Sequence, residues 1–142
     1  PNFRLRSRLC LQVGSPYFRI EDEVTNMGGV PACMELLYHC NFGPPFLGEG
    51  SRFRLPAKTV NARDDWAAQD LGTFDRYPAP SPGWPEQCYF IRPLADEKGL
   101  SLGLLSDAAE ERAVAVEFQT EGLPWFTLWK NPAAEEDGYV TG

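Results

Sequence analysis

Apolar and polar residues alternate with a period of two through a series of short segments of this chain. Such alternation is typical of strands with one face in a core and the other in solvent. Glycine and proline, 13 of each, separate most of the segments and favour turns. No segment has a convincing helical period. We therefore expect an all-β fold of eight or nine short antiparallel strands, arranged as a sandwich or barrel. The predicted strands cover 3–13, 17–26, 34–42, 51–55, 86–94, 100–106, 113–119 and 125–130, and a further strand begins at 139.

The first two predicted strands form an antiparallel hairpin around the turn at Gly14. The first carries arginines on one face and the second carries glutamates. Rows of opposite charge on paired strands can form cross-strand ion pairs, each worth about 0.2–1 kcal/mol. We therefore assign these charges to pairing within the hairpin rather than to a binding site.

The only histidine of the chain lies in the predicted strand 34–42. In that strand the apolar row faces a core, and His39 and Asn41 lie next to each other on the opposite face. Gly43 and the two prolines after it end the strand. A polar pair at the end of an apolar strand predicts a site at the rim of a sheet. The alternative is a histidine that is hydrogen-bonded inside or beside a core.

A long region rich in proline, glycine and aromatic residues covers about 43–85. Long irregular segments in compact domains are usually functional or disordered. Aromatic residues such as Trp66 and Trp84 favour an ordered segment. We expect it either to line the rim of a pocket, with Arg63 and Asp64 as candidates, or to cover one end of the core.

Length and charge exclude several classes of protein. The chain has 142 residues, enough for one domain with a core. Its formal net charge of −7 argues against nucleic acid and against an anionic membrane surface as partners. No apolar run reaches the roughly 18 residues of a membrane span, and the sequence opens without the apolar region of a signal peptide. Because it begins at Pro1 rather than methionine, we expect a fragment or a processed product.

The four cysteines, Cys10, Cys33, Cys40 and Cys88, lack the C-x-x-C spacing of metal sites. With a single histidine in the chain, we expect no metal centre. Reduced thiols in a cytoplasmic protein are the preferred interpretation, and the even number leaves a disulfide open. The oligomeric state stays open as well, a homodimer included.

Three groups of residues resemble the central part of the galactose mutarotase-like (aldose 1-epimerase) superfamily. V-T-N-x-G at 24–28 followed by L-Y-H-C-N-F-G at 37–43 is similar to that central part, where a strand that reads N-H-x-Y-F-N-L carries the catalytic histidine. G-W-P-E-Q-C-Y-F at 83–90 is similar to the family's G-Y-D-H-N-F. Q-T-E-G-L-P-W-F-T-x-x-K-N at 119–131 is similar to T-x-x-P-G-L-Q-x-Y-T-G-N. The matches occur in the family's order and cover nearly the whole chain.

The departures from these motifs indicate a divergent aldose-1-epimerase-like branch, of DUF4432 type. His39 and Phe42 match directly, but Cys40, Asn41 and Gly43 do not. Glu86 stands where the family has a sugar-binding aspartate, and Gln87 stands where it has a second histidine.

The resemblance implies an antiparallel β-supersandwich that binds sugar on a concave sheet face. Such a fold is roughly twice as long as this chain, so residues 1–142 are similar to its middle and later part. The family's general-base glutamate would then be expected just beyond Gly142.

The resemblance also implies a reaction, the interconversion of the α and β anomers of a free monosaccharide or sugar derivative. His39 would be the catalytic acid, because an imidazole suits proton transfer near neutral pH. The candidate substrate-binding residues are Asn41, Trp84, Glu86, Trp125 and Lys130, together with Arg63, which is a candidate only through its place in the long region. No metal or organic cofactor is implied.

Several alternatives stay open at this stage. Trp125 and Trp129 share one face of a predicted strand, where they could stack on a sugar or belong to the core. Glu86 could be a solvated strand residue. The chain could also be a non-catalytic carbohydrate-binding sandwich, or a structural domain of a larger carbohydrate enzyme.

Overall fold

The computed structural model describes residues 2–44, 46–134 and 136, and these form antiparallel strands with almost no helix. The all-β prediction is therefore confirmed. The chain divides into two compact units, Pro1–Leu37 and Tyr38–Gly142. The elements are β1 (Phe3–Leu11), β2 (Phe18–Asn26), β3 (Arg52–Arg54), β4 (Ala57–Ala62), α1 (Asp65–Gln69), a 3-10 turn (Leu71–Thr73), β5 (Gln87–Pro93), β6 (Leu100–Ser106), β7 (Ala113–Gln119) and β8 (Phe126–Lys130).

The first unit contains the predicted hairpin. Strands β1 and β2 pair antiparallel over their whole length. Arg8 lies opposite Glu21 with a nitrogen–oxygen distance of 3.0 Å, and Arg6 lies opposite Glu23 at 3.8 Å. The arginine row and the acidic row therefore pair across the hairpin, as predicted. Because both pairs are solvent-exposed, each stabilises the hairpin by at most about 1 kcal/mol.

The second unit contains two three-stranded antiparallel sheets, with strand orders β3-β6-β7 and β4-β5-β8. Aromatic rings join them: Phe126 of β8 stacks on Phe53 of β3 with 5.1 Å between ring centroids, and it lies 5.7 Å from the Phe118 ring of β7. Gly103 makes room for this stack, because a Cβ atom there would lie 3.3 Å from the Phe53 ring. This is the packing of a β-sandwich.

The region 43–85 contains more regular structure than we predicted. The short strand expected near 51–55 is present as β3, but β4 and α1 were not foreseen. Asp64 caps α1, since its Oδ1 accepts a hydrogen bond of 2.9 Å from the Ala67 amide. This N-cap, followed by Asp65 and two alanines, was a readable helix signal.

The strand predicted over 34–42 is wrong. Residues 31–43 belong to no helix or strand, and none of the described strands pairs with them. Alternation specifies which side chains share a face, but a strand also needs a neighbour for its backbone groups. Met34 and Leu36, expected in a core, are 47% and 40% exposed. The strand predicted to begin at 139 lies outside the described residues.

All four cysteines are free thiols, and only Cys88 is buried. In the described part of the chain, no helix has the length and apolar character needed to cross a membrane. Nor do the described residues include a group of three or more side chains that could hold a metal ion.

Candidate functional site

The sheet β4-β5-β8 has one buried face and one face open to solvent. Burial alternates along β8 and along β5 from Tyr89 onward, while Gln87 and Cys88 before it are both buried. Tyr89 and Ile91 are fully buried on the inner face, while Phe90 and Trp129 on the outer face are 40% and 41% exposed. The outer face therefore presents aromatic rings to solvent, which is the side where a ligand can reach this sheet.

Three side chains meet at one end of this outer face. Arg63 follows β4, Glu86 precedes β5, and Trp129 belongs to β8. Glu86 accepts two hydrogen bonds, from Arg63 Nη1 to Oε1 at 2.6 Å and from Trp129 Nε1 to Oε2 at 2.7 Å. We call these residues the Arg63–Glu86–Trp129 cluster.

The backbone explains why the cluster assembles. Cys88 pairs with Trp129 across β5 and β8, and its carbonyl accepts a 2.9 Å hydrogen bond from the Arg63 amide. The three chain segments are therefore held side by side by strand pairing. Arg63 Nη1 also lies 3.1 Å from the Cys88 sulfur, so the guanidinium rests over the middle strand.

A second carboxylate fixes the other side of the guanidinium. Arg63 Nε donates to Asp64 Oδ2 at 2.9 Å, and the other oxygen of Asp64 caps α1. The arginine is thus held between Asp64 and Glu86, and Asp64 also ties it to a helix N-terminus. With two carboxylates and one guanidinium, the group carries a net charge of −1.

These contacts favour the ionised forms of Glu86, Asp64 and Arg63. Hydrogen bonds from Arg63 and then from Trp129 lower the pKa of Glu86. The pKa of Asp64 is lowered by its bond to the Ala67 amide and then by Arg63. The two carboxylates in turn raise the pKa of Arg63. At neutral pH Glu86 is therefore ionised and accepts hydrogen bonds, and it is not a proton donor.

Two more tryptophans pack next to the cluster. The ring of Trp84 lies edge-on to Trp66, with centroids 5.5 Å apart, and Trp66 Nε1 donates to the Pro85 carbonyl at 3.1 Å. Because Pro85 immediately precedes Glu86, these rings anchor the segment that carries the carboxylate.

At the other end of the outer face, Trp125 packs against an arginine. The Arg92 guanidinium lies 4.5 Å from the centroid of the Trp125 ring, and Trp125 is 53% exposed. Trp125 and Trp129 therefore lie on the solvent side, and the alternative that placed them in the core is wrong. Four residues along the strand separate them by about 13 Å.

The structure brings together some of the predicted site residues. Arg63 and Glu86 are in direct contact, and Trp84 anchors the segment before Glu86. Trp125 shares the outer face but lies at its far end. Lys130 lies on the opposite, buried face: it is 5% exposed, and its Nζ donates to the Arg76 carbonyl at 3.0 Å. Burial lowers the pKa of Lys130.

His39 and Asn41 lie in the exposed segment that forms no strand. Among the described residues, no hydrogen bond or ion pair joins either of them to the cluster. The sequence did not reveal the contact between Glu86 and Trp129. The sequence carries only a weak signal for this contact. Alternation gives the side of the strand on which Glu86 and Trp129 each lie, but it does not show that β5 and β8 are neighbours.

Comparison with known proteins gives a consistent result. A family model described as "Domain of unknown function (DUF4432)" matches residues 1–142. No curated protein matches the sequence. A crystal structure at 1.90 Å of a putative aldose 1-epimerase from Klebsiella pneumoniae subsp. pneumoniae MGH 78578 is similar, with a TM-score of 0.91 and 33% identity over 93% of this chain. This chain spans 34% of the length of that protein.

Proposed function

The chain belongs to the DUF4432 domain family, and we propose that it is part of a carbohydrate-binding protein of the aldose 1-epimerase type. The observation that carries the proposal is the outer face of the sheet β4-β5-β8. There an exposed indole lies beside a fixed guanidinium and carboxylate. Sugars present flat C–H surfaces and many hydroxyls, so they suit a site that combines aromatic faces with oriented polar groups. The similarity to the Klebsiella protein supports a sugar as the ligand.

The proposed reaction interconverts sugar anomers. The acid protonates the ring oxygen while a base removes the proton of the anomeric hydroxyl, and the C1–O5 bond breaks to give the open-chain aldehyde. Closure onto the other face of the carbonyl returns both protons, so no oxidant or cofactor is consumed. We propose His39 as the acid and a glutamate expected beyond Gly142 as the base.

A second candidate is a carbohydrate-binding sandwich without catalysis. This candidate is favoured by the hydrogen bonds of Glu86. Both of its oxygens already accept one, so Glu86 is not a free carboxylate that could act as an acid or base. No described carboxylate contacts His39. The cytoplasm is the proposed location under either candidate, and four free thiols support it.

The test is mutarotation of several aldoses by the full-length protein, followed by NMR or polarimetry. We expect His39→Ala to slow catalysis by more than about 100-fold, the scale of a general acid's contribution. Glu35→Gln, which changes an exposed charge in the same stretch, is the control and should leave the rate unchanged. Sugar binding without mutarotation would favour the second candidate. Full activity in His39→Ala would remove His39 as the acid.

A further inference from the structure

Glu86 connects two side chains rather than presenting a free carboxylate. One oxygen accepts a 2.6 Å hydrogen bond from Arg63, which follows β4. The other accepts a 2.7 Å hydrogen bond from Trp129 of β8. Short hydrogen bonds to an ionised acceptor are stronger than neutral ones. Both are made only while Glu86 is ionised and accepting.

The bond to Trp129 restrains an exposed indole. A tryptophan at the surface samples several rotamers, and a hydrogen bond from Nε1 fixes the plane of the ring. Trp129 is nevertheless 41% exposed, so part of its surface stays open to solvent. An indole that is held by its edge and open elsewhere is preorganised to stack on a flat ligand.

We infer that Trp129 is the residue on which a sugar ring stacks, and that Glu86 is a positioning residue that holds the indole in place. This inference rests on the proposed function. It differs from the role that the sequence suggested for Glu86, which was direct binding of sugar hydroxyls. A pyranose offers the indole a face of C–H groups, while its hydroxyls point outward toward polar neighbours.

Arg63, which shares the Glu86 carboxylate with Trp129, supplies one such neighbour. Its Nε and Nη1 are engaged by Asp64, Glu86 and Cys88. Its Nη2 donates no hydrogen bond to any residue that the structure describes. A guanidinium nitrogen that keeps its protons beside an indole can donate to a sugar oxygen.

The experiment is a double-mutant cycle in the full-length protein, with glucose, galactose and mannose as probes and calorimetric titration as the measurement. Trp129→Phe keeps an aromatic ring but loses Nε1, so we expect about tenfold weaker sugar binding. Glu86→Gln should cost a similar factor, because an amide has one acceptor oxygen for two donors and its NH2 opposes one of them.

The double variant separates positioning from direct contact. If Glu86 acts through Trp129, Glu86→Gln should weaken binding by no more than about threefold in the Trp129→Phe background, where the conflict with Nε1 is gone. If Glu86 binds the sugar directly, the two losses should multiply to about 100-fold, and the inference is then wrong.

A spectroscopic readout distinguishes these effects from loss of structure. Sugar should change the near-ultraviolet circular dichroism of the wild-type tryptophans, and Trp129→Phe should lose most of that change.

Glu117→Gln, which changes an exposed glutamate on β7 in the other sheet, is the matched control and should bind like the wild type. Wild-type protein that binds none of the three sugars overturns the proposed function together with the inference. A wild type that binds, with both single variants binding equally well, overturns the inference alone.

Discussion

Replacement of Tyr89 by phenylalanine should stabilise the protein or leave its stability unchanged. Tyr89 is 0% exposed, and its hydroxyl has no hydrogen-bond partner among the described residues. Burial raises the pKa of Tyr89 to about 12, so the group buried at neutral pH is the neutral phenol. Burial of a neutral hydroxyl without a partner costs about 1–3 kcal/mol in proteins. Loss of one buried atom of this size leaves a small void that costs about 1 kcal/mol. The free energy of unfolding should therefore rise by between about zero and 2 kcal/mol.

Phenylalanine preserves the other contacts of this ring. Tyr89 lies 5.7 Å from the ring of Phe74, and the Lys130 ammonium lies 5.2 Å from its centroid. Both contacts involve the ring rather than the hydroxyl, and a phenyl ring still attracts a cation. The substitution therefore isolates the unpartnered hydroxyl.

Tyr77 provides the matched control. It is also buried, but its hydroxyl donates to the Asn131 carbonyl at 2.8 Å. Tyr77→Phe breaks this hydrogen bond and leaves the same small void, so it should destabilise the protein by about 1–3 kcal/mol. Two identical changes at buried tyrosines should thus have opposite or clearly separated effects.

Urea unfolding of the two variants and the wild type measures both effects, provided that the slope with urea stays the same. A loss of stability in Tyr89→Phe as large as that in Tyr77→Phe would refute the reasoning. It would mean that the Tyr89 hydroxyl has a stabilising partner in solution, such as a bound water molecule.

Three further predictions concern the cluster, the helix and the core. The pKa of Glu86 in the folded protein lies below its ordinary value of 4.5. The difference in free energy of unfolding between the wild type and Glu86→Gln should therefore be constant above pH 4.5 and shrink in stronger acid. A difference that persists unchanged at low pH would contradict this. Asp64→Ala should lower the melting temperature more than Asp65→Ala, since only Asp64 caps α1; equal shifts would argue against the cap. Gly103→Val should destabilise the sandwich by about 1–3 kcal/mol in urea, because its side chain overlaps the Phe53 ring; unchanged stability would show that the ring has room to move.

The sequence predicts most of the strands, because one pleated face of each is apolar. Strands β6 and β7 have the predicted bounds, and the faces of β5 and β8 are also as predicted. Strand β4 was missed because Ala57–Ala62 contains a single large apolar residue, Val60. Its place in the sheet depends on pairing with β5, a long-range contact that local periodicity does not encode.

Hydropathy alone also misplaces individual residues at the site. It favours Trp125 and Trp129 for the core and Lys130 for the surface, yet Lys130 is buried and both tryptophans are exposed. The physical reason lies in the strand as a whole. The period of two commits Lys130 to the same face as Phe126 and Leu128, and Phe126 is required in the aromatic stack between the sheets. The lysine accordingly enters the interior, where the Arg76 carbonyl and the Tyr89 ring surround its ammonium. The same register leaves two indoles on the open face. Glu86 tethers one of them through a hydrogen bond from Trp129 Nε1, and this tether supports the proposed role of the outward tryptophan in sugar binding.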